Sequence, residues 1–527
     1  MGKKLLCLIM AMCCVFGLIS CGEEKIAADK ATTDSTLHGG FVAETDKYVY
    51  FINGIESYST AYKTGEVTKG ALLRVEKNNL SATPETVVSK LLVAGDYSAG
   101  IYLHGEYVYY AVASTDNDKA GNVKNDKLTF LRTKLDASET ANNIVDRDFA
   151  NSATYRYVTS GNNVYLVVHS TDLFVYDAIN GGLIYTTEVN AEDKAYKNDE
   201  DALNDAKLHK LDVSEVVFAK DNVYFTVNPV NTLLSTPDNI QKDSFHNVYT
   251  IDFANKKAVE VVSGAGTKLV DGSANPNGGF TLLGVTIDLL RVDNGVLYFS
   301  YTSLNTVEAS KPVYMAIATN ALTAASANTW HKTAAYSETT NNTASIFANT
   351  SIFHGGKVYY VQADIGLLVY DHAKKADANT DKGVSVLLSS ELLKGATLDF
   401  VNVEDGKTFL YFHDASNIYY KVNLAEDAGK LADKTVLRIN TYAINSTWYK
   451  PEVVKRGNDF YLIAPYTDAA FKSYVYAINM KDLKAEDDAS WEDLDTTIDS
   501  KLAFEKLAKD NNLLGLIADT DKDVDEE

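Results

Sequence analysis

Short aromatic and apolar runs recur along this chain, each preceded by a turn-forming pair of Gly, Asn or Asp residues. The eight runs are Tyr48-Val-Tyr-Phe51, Tyr107-Val-Tyr-Tyr110, Val164-Tyr-Leu166, Val223-Tyr-Phe225, Val296-Leu-Tyr-Phe299, Val358-Tyr-Tyr360, Phe409-Leu-Tyr-Phe412 and Phe460-Tyr-Leu462. The turns before them include Gly105-Glu106, Asn162-Asn163, Asn294-Gly295, Gly355-Gly356, Asp405-Gly406 and Gly457-Asn458. With one Tyr taken from each run (50, 109, 165, 224, 298, 359, 411 and 461), the steps are 59, 56, 59, 74, 61, 52 and 50. A fixed order at variable spacing describes one structural unit carrying loops of different length.

A second apolar strand follows each run after a polar loop: Leu72–Val75, Leu128–Leu131, Leu173–Tyr176, Val248–Ile251, Val313–Ala316, Leu367–Tyr370, Ile418–Lys421 and Tyr474–Ala477. A strand precedes most of the turns, as at Phe41-Val42, Ile101–Leu103, Tyr155–Tyr157, Val216–Phe218, Leu289–Arg291, Ser351–Phe353 and Val453-Val454. Some units end in a further strand, as at Leu183–Tyr185, Val259–Val262 and Val384–Leu387. Four antiparallel strands per unit leave two apolar faces, and stacking the sheets around an axis buries both. The fold class expected is therefore all-β: a β-propeller of about eight four-stranded blades, or seven if the first and last units share a closing blade. A string of β-sandwiches is the rival, and it requires about seven unequal strands per domain.

Three stretches fall outside the repeat. The charged segment 191–212 reads as an insertion loop or short helix. Beyond residue 485 the aromatic pattern stops. There Leu494, Ile498 and Leu502 recur every four residues, which predicts a helix near 491–510 before an acidic tail at 519–527. Residues 21–37 read as a polar tether, which places the propeller at 38–485 and the helix and tail at 486–527.

The first twenty residues have the form of a secretory signal: Lys3 and Lys4, an apolar run from Leu5 to Ile19, then Ser20. Fifteen apolar residues as a helix span roughly 22 Å, short of a hydrocarbon core of ~30 Å. Leu18-Ile19-Ser20-Cys21 resembles the lipobox of bacterial lipoproteins. That resemblance implies cleavage before Cys21 and attachment of acyl chains, palmitate among them, to its thiol and new N-terminus. Two or three chains hold a protein stably on a membrane where one does not. Cys7, Cys13, Cys14 and Cys21 are the four cysteines, so a chain beginning at Cys21 keeps no thiol for disulfides. The expected location is the extracytoplasmic face of a cell membrane, with the outer membrane or cell surface left open.

Removal of residues 1–20 leaves 47 basic and 71 acidic side chains, a net charge of −24. Such a surface does not attract phosphate backbones, and nucleic acid is excluded as a partner class. The 33 Tyr suit pleated, half-buried surfaces, and with 7 Pro the turns rest on Gly, Asn and Asp. The units resemble extracytoplasmic propellers of the TolB-like and YWTD-like kind. The stretch from Leu173 to Tyr185 also looks like a quinoprotein-type repeat, but Tyr185 stands where that motif has Trp, and no cofactor is expected.

No His-Glu-x-x-His, nucleophile elbow, phosphate loop or sialidase-type Asp box is present, and no metal site is expected. Asp519 opens a calcium-like run that lacks Gly at its sixth place, and it reads as a solvated tail. The repeated Tyr residues read as blade packing. Of Trp330, Trp448 and Trp491, Trp448 lies in a loop-like stretch and is a weak ligand candidate. The function expected is binding or scaffolding of a protein or glycan at the cell envelope, without catalysis. The alternative is a glycoside hydrolase or lyase with carboxylates gathered at the axis.

Overall fold

The structure, a computed structural model, describes residues 26–513 apart from 36–39, 54–69, 81, 90–91, 93–99, 114–115, 118–122, 125–126, 190–199, 201–211, 229–245, 265–284, 304–312, 331–349, 372–382, 390–391, 425–434, 441–449, 468–472 and 488–511. It is an eight-bladed β-propeller. Blade 1 runs Val42–Glu44, Tyr48–Ile52, Leu72–Glu76, Glu85–Val88; blade 2 runs Tyr102–Gly105, Tyr107–Ala113, Lys127–Lys134, with its fourth strand in two pieces at Asn142–Asn143 and Phe149–Ala150. Blade 3 is Thr154–Ser160, Asn163–His169, Leu173–Asp177, Leu183–Thr186, and blade 4 is Asp212–Phe218, Val223–Asn228, Asn247–Asp252, Lys257–Val262. Blade 5 shows three strands among the described residues, Val285–Asp293, Val296–Ser303 and Val313–Ala318. Blade 6 is Ile352–His354, Lys357–Gln362, Gly366–Asp371, Val384–Leu388. Blade 7 is Thr397–Glu404, Lys407–His413, Tyr419–Asn423, Leu437–Arg438, and blade 8 is Glu452–Arg456, Asp459–Thr467, Ser473–Asn479, Asn512–Leu513.

The first and last units each build a sheet of their own, so the seven-blade alternative with a shared closing blade does not apply. The ring closes instead by side-chain packing. One apolar cluster joins Val454, Tyr461 and Ile463 of blade 8 to Val49 and Phe51 of blade 1 and on to Leu103 and Tyr110 of blade 2. Arg456 of blade 8 adds a hydrogen bond from Nη2 to the Asn78 carbonyl of blade 1, at 2.5 Å. Every other pair of neighbouring blades shares a cluster as well. Aromatic pairs cross these seams, with Tyr165 stacked on Phe253 at 4.1 Å and Tyr298 edge-on to Phe353 at 4.6 Å. Such pairs add about 0.5–1.5 kcal/mol beyond their buried area.

The eight repeated tyrosines occupy one register. Tyr50, Tyr109, Tyr165, Tyr224, Tyr298, Tyr359, Tyr411 and Tyr461 stand in second strands, opposite Arg74, Arg132, Asp177, Thr250, Ala316, Val369, Lys421 and Asn479 of the third strands. All eight are buried, which makes them blade packing as the sequence suggests. At Asn294-Gly295, Gly355-Gly356 and Asp405-Gly406 both residues have φ between 46° and 80°. This is the type I′ geometry that matches strand twist and that Gly, Asn and Asp tolerate.

In two blades the residue facing the tyrosine is a buried base. Lys421, about 5% exposed, pairs with Glu404 at 2.7 Å, and Tyr411 donates its hydroxyl to the same carboxylate. Arg74 is fully buried and binds Glu85 at 2.8 Å, with further bonds to the carbonyls of Leu135 and Ala27.

First strands of neighbouring blades run side by side, as at 42–44 and 102–105, 212–218 and 285–293, and 352–354 and 397–404, so the first strands line the axis. Two strands lie beyond the expected 38–485 span. Asn512–Leu513 completes blade 8, and Ala31–Ser35, from the stretch read as tether, pairs with the axial edge of Tyr102–Gly105. The expected insertion at 191–212 falls on strand only at Asp212, which opens blade 4, and the expected helix at 491–510 lies outside the described residues.

Truncating one partner of a buried pair leaves the other charge uncompensated. Lys421→Ala is therefore expected to cost about 3–5 kcal/mol in urea unfolding, while a Lys421→Met, Glu404→Leu double variant stays near neutral. Burial pushes the Asp293 carboxyl up to about 6 against the pull of Arg291. A carboxyl whose pKa is raised on folding supplies stability below about pH 4 that is lost as pH rises through 6. Discounted for partial exposure, wild type should lose about 1 kcal/mol relative to Asp293→Asn between pH 4 and 7, read from urea midpoints at each pH.

Candidate functional site on the loop face

The meander separates two faces. Turns between strands 1 and 2 are all tight: 45–47, 106, 161–162, 219–222, 294–295, 355–356, 405–406 and 457–458. The opposite face receives the connections between strands 2 and 3 and between blades. Several of these are long, among them 53–71, 114–126, 187–211, 229–246, 263–284 and 439–451, though 170–172 and 363–365 are short. Variable chain mounted on a rigid scaffold is where binding residues concentrate in such folds.

The best-formed polar constellation lies on this loop face in blade 7. The first strand carries a β-bulge between Leu398 and Phe400, and the extra residue is Asp399. Bulges re-aim side chains and are frequent beside functional sites. Asp399 is buried, and its Oδ2 lies 2.7 Å from Nδ1 of His413, the last residue of the second strand. The His413 ring stacks on Tyr419 with centroids 5.1 Å apart. Lys450, just before blade 8, donates to the Asp399 carbonyl at 3.2 Å and places its ammonium 3.9 Å from Oδ1. A carboxylate only accepts, so the bond requires the proton on Nδ1, and in that tautomer Nε2 is the accepting nitrogen. That nitrogen takes no hydrogen bond among the described residues, and the side chain is 15% exposed. An imidazole oriented in this way can accept a hydrogen bond from a ligand hydroxyl, with the Lys450 ammonium near the other oxygen of the shared Asp399.

A second constellation spans blades 4 and 5. Glu215 follows a bulge in its strand, and its Oε2 accepts the Leu289 N–H of the neighbouring first strand at 2.6 Å. Burial raises the Glu215 carboxyl above its ordinary range against the Leu289 N–H that it accepts, with the charge of Asp288 adding to the rise and His246 opposing it. Asp288 is exposed and accepts weakly from Ser300 at 3.4 Å. His246 sits against the backbone of Ile287 at 2.9 and 3.1 Å.

Neither constellation is foreshadowed by a motif. Asp399 and His413 meet only through hairpin register, and Glu215 and Asp288 only through blade stacking. Of the residues singled out from sequence, Trp330 is fully buried, with Nε1 donating to the Ser263 carbonyl at 2.9 Å, which is a packing role. Cys21, Trp448, Trp491 and the 519–527 tail lie outside the described residues. Among the described residues no group of three or more His, Cys, Asp or Glu is arranged to hold a metal ion, and no helix is long and apolar enough to cross a membrane.

No family model and no curated protein matches the chain. Solved structures do. BamB from Moraxella catarrhalis is 9% identical over 87% of this chain and 97% of its own, with a TM-score of 0.34. The computationally designed Ika8 protein is 10% identical over 86% and 98%, with a TM-score of 0.36. A chain of a mitotic checkpoint complex is 8% identical over 70% and 86%, with a TM-score of 0.31.

Glu215 acts as a clamp between blades through a single backbone donor. Glu215→Ala should cost about 1–2 kcal/mol by stranding the Leu289 N–H, whereas Glu215→Gln, which can still accept, should leave thermal stability within about 0.5 kcal/mol of wild type at pH 7.

Proposed function

We propose that this protein is a lipid-anchored, extracytoplasmic binding module that presents its loop face to a protein or glycan of the cell envelope. The observation that carries the reading is the contrast between the two faces around the axis. On one side every first strand returns through a tight turn, and longer connections occur only between the outer strands 3 and 4. The other side carries the long connections that enter the first strands and the polar groups of Asp399 and His413. The signal sequence and the lipobox-like Leu18–Cys21 supply the anchor. The ring of eight sheets supplies rigidity, so ligand contacts need not be ordered at the moment of binding.

A second reading, cleavage of an envelope polysaccharide, is favoured by Glu215 and Asp288 on adjacent axial strands, because glycoside hydrolysis uses two carboxyl groups in unlike surroundings.

Cys21→Ala should move the protein from the membrane fraction to the soluble extracytoplasmic fraction and remove acyl mass from the N-terminal peptide. A mutant that stays lipidated and membrane-bound would sink the anchor reading. In a screen of purified domain against envelope glycans and outer-surface proteins, His413→Ala is expected to weaken binding at least tenfold, with Asn162→Ala on the tight-turn face as the unchanged control. Equal effects from both would reject the loop face as the binding face. Release of sugar products that disappears in Glu215→Gln would place the enzyme reading first.

A further inference from the structure

We infer that the N-terminal strand orients the propeller on its membrane, with the tight-turn face toward the lipid and the loop face away from it. The inference rests on the lipid-anchor reading and goes beyond it by assigning a role to each face. Ala31–Ser35 runs antiparallel to the innermost strand of blade 2, with Ala31 opposite Gly105 and Ser35 opposite Leu103. Gly105 leads into the tight turn at residue 106, so Ala31 lies at the tight-turn end and the strand climbs along the axis toward the loop face. There the chain passes Gly40, whose carbonyl accepts the Ile101 N–H at 2.8 Å. A Cβ on Gly100 would meet that carbonyl oxygen at 2.1 Å, so two glycines are needed for the chain to turn into blade 1.

The residues just before the strand are fixed to the same face. Asp29 accepts hydrogen bonds from Thr45, in the first tight turn, and from the Tyr50 hydroxyl, both at 2.7 Å. The Ala27 carbonyl accepts from the buried Arg74 guanidinium at 2.7 Å. Arg74 in turn reaches the carbonyl of Leu135, which follows the third strand of blade 2 on that face. From Cys21 to Ile26 there are five residue steps, and covalent geometry lets them span at most about 18 Å. A lipid on Cys21 is therefore leashed close to the tight-turn face. The tight turns there carry no positive excess: Lys47 and Lys220 stand against Asp46, Glu106, Asp221 and Asp405, and the neighbouring Lys455 is paired with Asp405 at 2.5 Å. The orientation is thus imposed by the short leash and not by attraction of that face to lipid headgroups.

The test uses the full lipidated protein reconstituted into phosphatidylethanolamine–phosphatidylglycerol vesicles that contain nitroxide-headgroup lipid. Asn162→Cys and Thr171→Cys are exposed and lie at opposite ends of one strand of blade 3. Acylation of Cys21 leaves the introduced thiol as the single site for a fluorophore. The label at 162 should be quenched severalfold more strongly than the label at 171. Insertion of thirty Gly/Ser residues after Cys21 should erase the difference. Equal or reversed quenching in lipidated protein overturns the orientation alone. A difference that survives the long tether overturns the leash as its cause. An N-terminal peptide without acyl mass overturns the anchor reading and this inference with it.

Discussion

Everything in this molecule depends on the fact that a four-stranded sheet with apolar residues on both faces cannot stand alone in water. Each blade covers one face of the next, and the last must cover the first. Here that final seam is made without an exchanged strand. Blade 8 meets blade 1 through Val454, Tyr461 and Ile463 against Val49 and Phe51, with Arg456 holding the Asn78 carbonyl across the rim. A chain that keeps no cysteine beyond Cys21 has no disulfide to stiffen this closure, so apolar area has to carry it.

The second-strand tyrosine shows how one repeated position serves different needs. Its ring is always buried, but the partner across the ladder changes from Val369 and Ala316 to Arg74 and Lys421. The basic partners cost desolvation, which the Glu85 and Glu404 carboxylates and nearby carbonyls offset. Arg74 also takes the Ala27 carbonyl, so the polar residue in blade 1 becomes a fastening point for the N-terminal segment. Burial has a different outcome at Asp293, where it outweighs the pull of the Arg291 charge: its Oδ2 accepts no hydrogen bond among the described residues and its carboxyl rises to about 6.

Blade number and strand order were legible because Tyr runs and Gly/Asn/Asp turns mark the central strands of every unit. Elements that lack those marks were not. The first strand of blade 7, Thr397–Glu404, is broken in pattern by the bulged Asp399, and its alternation of apolar and polar residues slips by one across that residue. Outer strands such as Leu437–Arg438 and Asn512–Leu513 are two residues long, too short for any periodicity. Ala31–Ser35 reads as a polar linker because it bonds through backbone to an edge already present, which asks little of its side chains. The polar constellations are invisible for a related reason. His413 meets Asp399 through ladder register, and Glu215 meets Leu289 through the stacking of two sheets, and neither relation leaves a spacing that a motif could record.

The same meander that builds the ring also divides its labour. Because strand 1 always returns through a tight turn, no insertion crowds the axis on that face. Longer connections fall between strands 2 and 3, between blades and, in blades 6 to 8, between strands 3 and 4 at the rim, where loop-closure entropy rises slowly with length. An N-terminal strand added at the axis must then enter from one face or the other. Antiparallel pairing to the first strand of blade 2, with Ala31 at the turn end, sets the entry on the tight-turn face. A strand paired in the opposite sense would have brought the N-terminal segment out among the loops, where the proposed lipid and ligand would compete for one surface. On the proposed lipid anchor, the direction of this five-residue strand would decide which face of the propeller is free to bind.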